Sequence, residues 1–107
     1  VSTLYVDSVA LASDARELFV AIARRDHDLS RRLKRAVDGV PGHIAEAMCS
    51  TGRVRRAEYA AALGSAREAL ACVRAAESVG YLQEGSDAWS TCAERLLDRI
   101  LRALEKG

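Results

Sequence analysis

Aromatic residues and proline are scarce in this chain: aromatics make up 5% of the sequence and proline occurs once. No stretch approaches the roughly 20 consecutive apolar residues of a membrane helix, and the N-terminal residues lack the basic and apolar regions of a signal peptide. The three cysteines are odd in number and lack zinc-type spacing. We therefore expect a cytoplasmic protein with reduced core thiols, one reactive thiol being the alternative.

Half of the 107 residues are hydrophobic and 29% are charged, a composition and length typical of one soluble helical domain. No window alternates between apolar and polar residues as a half-buried strand does. The 16 basic and 15 acidic residues give a formal net charge of +1, so the overall charge indicates no class of partner.

Apolar residues recur at alternating spacings of three and four, which predicts four amphipathic helices. Asp26 and Asp28 suit an N-cap, and Gly80, followed by Tyr81 and Leu82, suits a C-terminal helix cap. Short connections favour antiparallel neighbours. The predicted fold is an all-α, antiparallel, up-down-up-down four-helix bundle over residues 1–107, with helices at about 3–25, 28–50, 54–79 and 87–105.

Pro41 falls inside the second predicted helix, between Gly39 and Gly42. Because proline cannot donate to the carbonyl of Val37, we expect helix 2 to be kinked near Pro41 or broken there. The glycines reduce side-chain bulk at this point. They fit either an ordinary kink or the close approach of another backbone, from this chain or from a second subunit.

Two segments and a helix end resemble those of a known family. Residues 33–47 read LKRAVDGVPGHIAEA, residues 59–69 read YAAALGSAREA, and Gly-Tyr-Leu follows at 80–82. In order and spacing they are similar to small four-helix-bundle proteins encoded within intervening sequences of bacterial 23S ribosomal RNA genes. The resemblance covers about residues 29–82. It departs from the family at His43, which replaces the usual Asn, and at Ala47, which replaces the usual Gly.

This resemblance implies a four-helix bundle and a homo-oligomer, with a pentamer as the expected state. It also implies a structural or interface role for the matched residues Pro41, His43, Ile44, Glu46, Tyr59, Gly64, Ser65 and Glu68. The same family includes the accessory variability protein of diversity-generating retroelements. That protein is a basic, ring-shaped pentamer that binds nucleic acid and the retroelement's reverse transcriptase.

A charge asymmetry is the strongest functional signal in the residues themselves. Residues 24–56 contain nine basic and four acidic side chains, a net charge of +5, whereas the rest of the chain carries −4. Antiparallel helices would place these arginines in two patches at opposite ends of the bundle. Arginine side chains bind phosphate groups well, so the two patches could contact nucleic acid. The near-zero net charge favours the other explanation, that these arginines lie on a solvated face or in a subunit interface. The candidate nucleic-acid-binding residues are Arg31, Arg32, Lys34, Arg35, Arg53, Arg55 and Arg56.

Catalytic chemistry has little support in the sequence. The two histidines, His27 and His43, occur without the Glu-x-x-His motif of di-iron bundles, so we expect no metal and no cofactor. A nucleophile could be imagined at Ser65 or Cys49 with His43 as its base, but nothing in the local sequence marks such an arrangement. The small residues 64–66 are better explained by close helix packing. We therefore expect that the protein is not an enzyme.

Glu46 lies two residues beyond Ile44, near the apolar stripe of helix 2. A buried acid must be hydrogen-bonded or ion-paired. We therefore expect Glu46 to pair with an arginine, or with the hydroxyl of Tyr59 or Ser65, within the chain or across subunits. Simple exposure to solvent is the alternative.

Two functions remain for this sequence. The first is a non-catalytic, ring-forming interaction or scaffold protein. The second is an accessory protein of a diversity-generating retroelement that contacts RNA or DNA and a reverse transcriptase through basic patches. Neither function involves a membrane.

Overall fold

The computed structural model describes residues 3–83 and 86–106. These residues form α1 (Thr3–Asp14), α2 (Arg16–Ala23), α3 (His27–Met48), α4 (Gly52–Ser78) and α5 (Ser86–Glu105), with no strand among them. Because α1 and α2 make one bent helix, four helices pack together. The prediction of an all-α four-helix bundle is confirmed.

Contacts between distant residues show how the helices align. At the start of α4, the Arg56 guanidinium donates to the Leu104 carbonyl oxygen at the end of α5. Near the start of α3, Arg32 faces Glu68 in the second half of α4. The two helices of each pair, α4 with α5 and α3 with α4, therefore run in opposite directions. The start of α4 and the end of α5 lie together at one end of the bundle.

The core follows the predicted apolar stripes. Ile22 on α2, Leu33 and Ile44 on α3, Val73 on α4 and Ile100 on α5 are fully buried. Full burial of such a side chain contributes about 1.5–3 kcal/mol. No helix among the described residues is both long enough and apolar enough to cross a membrane.

The first helix departs from the prediction, since residues 3–25 do not form one uninterrupted helix. The interruption lies at Ala15, between α1 and α2. The Leu11 carbonyl accepts from the Ala15 amide at 3.1 Å and from Trp89 Nε1 at 3.0 Å. The Leu11 carbonyl oxygen therefore keeps the bond of its own helix and also binds α5 at the interruption.

Helix α3 continues through Pro41 without a break. The predicted break at Pro41 is therefore wrong, whereas a kink there stays a prediction. A Cβ atom built on Gly39 would lie 3.0 Å from Ser65 Oγ on α4, whereas one on Gly42 would meet nothing within 4 Å. The close approach considered for these glycines is therefore made at Gly39, by a helix of the same chain.

Both predicted caps are present. Asp26 precedes α3, and its carboxylate accepts from the Leu29 amide at 3.0 Å. After α4, Gly80 adopts a positive φ of 79°, and the Tyr81 amide donates to the Ala76 carbonyl oxygen at 2.8 Å. This is the bonding of a Schellman cap, in which glycine is favoured because it tolerates the left-handed conformation.

Candidate functional site

The basic residues of α3 are mostly paired with acids. Three of the four form ion pairs, which are Arg31 with Asp28, Arg32 with Glu68 (3.6 Å) and Lys34 with Asp38 (2.7 Å). Arg35 forms no ion pair with a described residue. Exposed pairs of this kind contribute at most about 1 kcal/mol, but each one reduces the positive potential offered to a partner. The α3 group therefore presents little uncompensated charge.

The arginines of the first turns of α4 differ from the α3 group. None of Arg53, Arg55 and Arg56 lies within 4.0 Å of a carboxylate of residues 3–83 or 86–106. The Arg55 guanidinium lies over the Tyr59 ring, 5.4 Å from its centre. Arg56 donates to the Leu104 carbonyl at 2.8 Å. These contacts orient two of the arginines and leave their charge uncompensated.

An open depression of about 540 Å³ lies between the start of α4 and the end of α5. Its lining residues are Leu4, Arg55, Arg99, Arg102, Ala103 and Lys106, and no carboxylate is among them. We call this surface the basic depression. Arg99 is held in place because it donates to the Asp7 carboxylate at 2.5 Å and to the Thr3 hydroxyl at 3.0 Å.

The sequence reasoning missed Arg99, Arg102 and Lys106. They are spaced by three and four residues, so they share one face of α5 and of the turn that follows it. That spacing is visible in the sequence. Their proximity to Arg55 is not, because it depends on how α5 packs against α4.

His43, which stands where the resembling family usually has Asn, contacts Glu58 on α4. The Nδ1 and Oε2 atoms are 3.0 Å apart, and both side chains are partly exposed. Sequence reasoning did not identify Glu58 as this partner. No hydrogen bond joins Ser65 to His43 among the described residues, so the geometry does not assemble a nucleophile with its base.

No group of three His, Cys, Asp or Glu side chains within the described part of the chain is arranged to hold a metal ion. The other motif residues serve packing and surface roles. Ile44 and Tyr59 are buried, and Glu68 pairs with Arg32. Gly64 is exposed, and a Cβ atom there would meet nothing within 4 Å. The prediction of close helix packing at Gly64 is therefore wrong. The close contact is made by Ser65, against Gly39.

The expectation that Glu46 pairs within the chain was also wrong. Glu46 is exposed, and its carboxylate has no partner among the described residues. Residues two apart on a helix point about 200° away from each other, so the burial of Ile44 turns Glu46 towards solvent. A pairing across subunits stays a prediction.

The three cysteines are free, but they are not all core thiols. Cys72 is buried, whereas Cys49 and Cys92 are exposed. Burial raises the pKa of the Cys72 thiol, and the nearby charge of Arg32 opposes this shift. The expected core role therefore applies to Cys72 alone.

We predict that a thiol-specific reagent labels Cys49 and Cys92 in the native protein and labels Cys72 only after unfolding. The physical reasons are exclusion of the reagent and the smaller thiolate fraction of a thiol with a raised pKa. Mass spectrometry of peptides after timed labelling measures the three rates. Equal rates at all three cysteines in the native protein would contradict the packing of α4.

A solved structure shares this arrangement of helices. It is the crystal structure of a protein of unknown function from the S23 ribosomal protein family of Bacteroides thetaiotaomicron, with a TM-score of 0.87 and 13% identity, covering 95% of this chain and 98% of that one. No protein-family model matches the sequence, and no curated protein matches it. At this identity, the similarity establishes the fold that the two proteins share.

Proposed function

We propose that this protein is a non-catalytic interaction protein that works as a homo-oligomer. The observation that carries the proposal is an apolar face on the bent first helix, formed by Val6, Val9 and Val20, which are 48%, 43% and 50% exposed. The α-helical hydrogen bonds on both sides of Ala15 are kept at the bend, so Val9 and Val20 project from the same side of this helix, about 20° apart in a regular helix. Aligned, exposed apolar side chains favour a covering partner more than scattered ones do. We call these residues the valine face.

A second copy of the chain is the partner that we propose for the valine face. The resemblance of residues 33–47 and 59–69 to the family of 23S intervening-sequence proteins implies a ring, with five subunits expected. In such a ring every copy carries the same face, so one apolar surface is covered in all subunits at once. In this proposal the protein acts in the cytoplasm and needs no cofactor.

We predict that the double variant V9S/V20S forms smaller particles than the unmodified protein. The exposed valines at the two ends of α4 provide a matched control, V54S/V79S, because Val54 and Val79 are 59% and 58% exposed. Size-exclusion chromatography with light scattering gives the mass of each protein. A decrease in mass for V9S/V20S alone supports the valine face. If the unmodified protein is an oligomer and both variants keep its mass, the interface lies elsewhere.

The second candidate function is that of an accessory nucleic-acid-binding protein, as in a diversity-generating retroelement. One observation favours it: Arg53, Arg55 and Arg56, in the first turns of α4, lack carboxylate partners among the described residues. Contacts between arginines and phosphates give a binding affinity that falls steeply as the salt concentration rises. A mobility shift with structured RNA and with an RNA–DNA hybrid at about 50 mM salt, where such contacts are strong, tests it. Binding to neither would leave only the first function.

The reverse transcriptase partner belongs to this second candidate alone. A reverse transcriptase gene beside the gene of this protein would support it. Co-purification of the two proteins from one expression host would test it directly.

A further inference from the structure

We propose that the basic depression, lined by Arg55, Arg99, Arg102 and Lys106, binds the phosphate groups of a phosphate ester. The inference rests on the nucleic-acid-binding candidate and deepens it, since it assigns the contact to α5 together with α4. Four cationic side chains from two helices converge on one open surface. Of them, Arg99 alone is ion-paired to a described residue.

Three carboxylates near these cations in sequence or in space, those of Asp7, Asp98 and Glu105, are not among the residues that line the depression. Asp7 holds Arg99 from the side of α1. Asp98, four residues before Arg102, lines a different groove, the one between α4 and α5 that also contains Arg67 and Arg74. The depression therefore keeps a local excess of positive charge in a protein whose formal net charge is only +1.

Two contacts fix the shape of this surface before any ligand arrives. The Arg56 guanidinium ties the start of α4 to the Leu104 carbonyl at the end of α5. Arg99 is held by Asp7 and by the Thr3 hydroxyl. Cationic groups that are already positioned lose less conformational entropy when an anion binds. Arg102 and Lys106 are exposed beside them and are available for direct contact with phosphate.

The α3 group is the competing surface, and three of its four positive charges are already paired with acids. Arg31, Arg32 and Lys34 each pair with a carboxylate. A phosphate that binds there must displace an acid or share its cation. The basic depression needs no such exchange, apart from the pair at Arg99. This difference predicts which arginines contribute to affinity.

The experiment uses fluorescence anisotropy with a labelled single-stranded RNA and, separately, calorimetric titration with pyrophosphate alone. The test variant is R102Q/K106Q and the matched control is R31Q/K34Q, whose two cations pair with acids of their own helix; both variants remove two positive charges. We expect R102Q/K106Q to weaken RNA binding about tenfold or more at low salt. The slope of the logarithm of its binding constant against the logarithm of the salt concentration should be about 1.4 less steep, because each lost phosphate contact with a single strand removes about 0.7 from the slope. The control should bind within about twofold of the unmodified protein.

The outcomes separate this inference from the function on which it rests. If the unmodified protein binds neither RNA nor pyrophosphate, both the nucleic-acid candidate and the inference fail. If it binds but R31Q/K34Q loses as much affinity as R102Q/K106Q, or more, the inference alone fails. Binding of RNA that R102Q/K106Q weakens selectively supports a strand in the depression. The same selectivity with pyrophosphate supports phosphate recognition without a strand.

Discussion

Replacing Trp89 with alanine is expected to lower the free energy of unfolding by about 3–5 kcal/mol, the range found for large aromatic residues removed from cores. Trp89 is only 6% exposed, and its indole nitrogen donates to the Leu11 carbonyl. W89A therefore removes packing between α5 and α1 together with a hydrogen bond at the bend. Urea unfolding, followed by far-UV circular dichroism at one fixed protein concentration, measures the loss.

The variant W89F separates the two contributions of Trp89. It keeps an aromatic ring in the core but loses the hydrogen bond to Leu11, which costs about 0.5–1.5 kcal/mol. W89F should therefore lie between W89A and the unmodified protein. If W89A unfolds within about 1 kcal/mol of the unmodified protein, less than buried aromatic residues contribute, the contact between α5 and the bent helix is wrong.

The second large effect is expected at Gly39, where α3 lies close to Ser65 of α4. G39V places a branched side chain where even a Cβ atom would be 3.0 Å from Ser65 Oγ. Overpacking of this kind costs about 1–3 kcal/mol. Valine is a better helix former than glycine, so any loss of stability reports the lack of space between the helices.

Gly42 provides the matched control for Gly39, because it lies in the same helix and a Cβ atom there would meet nothing within 4 Å. G42V should unfold within about 0.5 kcal/mol of the unmodified protein, as surface substitutions usually do. Adding S65A to G39V removes the hydroxyl and should restore part of the lost stability. Equal destabilisation by G39V and G42V would contradict the pairing of α3 with α4.

Local patterns in the sequence predicted the helices and their ends well, because those features depend on neighbours in the chain. Asp26 caps α3 and Gly80 ends α4 through contacts no more than five residues away. The bend at Ala15 was not predictable in this way. It involves Trp89, which is 78 residues from Leu11 along the chain.

The candidate site was predictable only in part, for the same physical reason. The sequence identified the arginines of α3 and α4 as basic groups. It did not show that Arg32 faces Glu68, which lies on another helix. Nor did it show that Lys106 joins Arg55 in one depression. Charge along a chain can be read from the sequence, whereas charge compensation across helices depends on how they pack.

Native mass spectrometry of the unmodified protein tests the central claim most directly, since the account holds that copies of this chain cover one another's valine faces. The account predicts a particle of several chains of 11.6 kDa, with five as the expected number. The V9S/V20S variant should shift the distribution towards the single chain. A single 11.6 kDa species for the unmodified protein at every concentration would contradict the account.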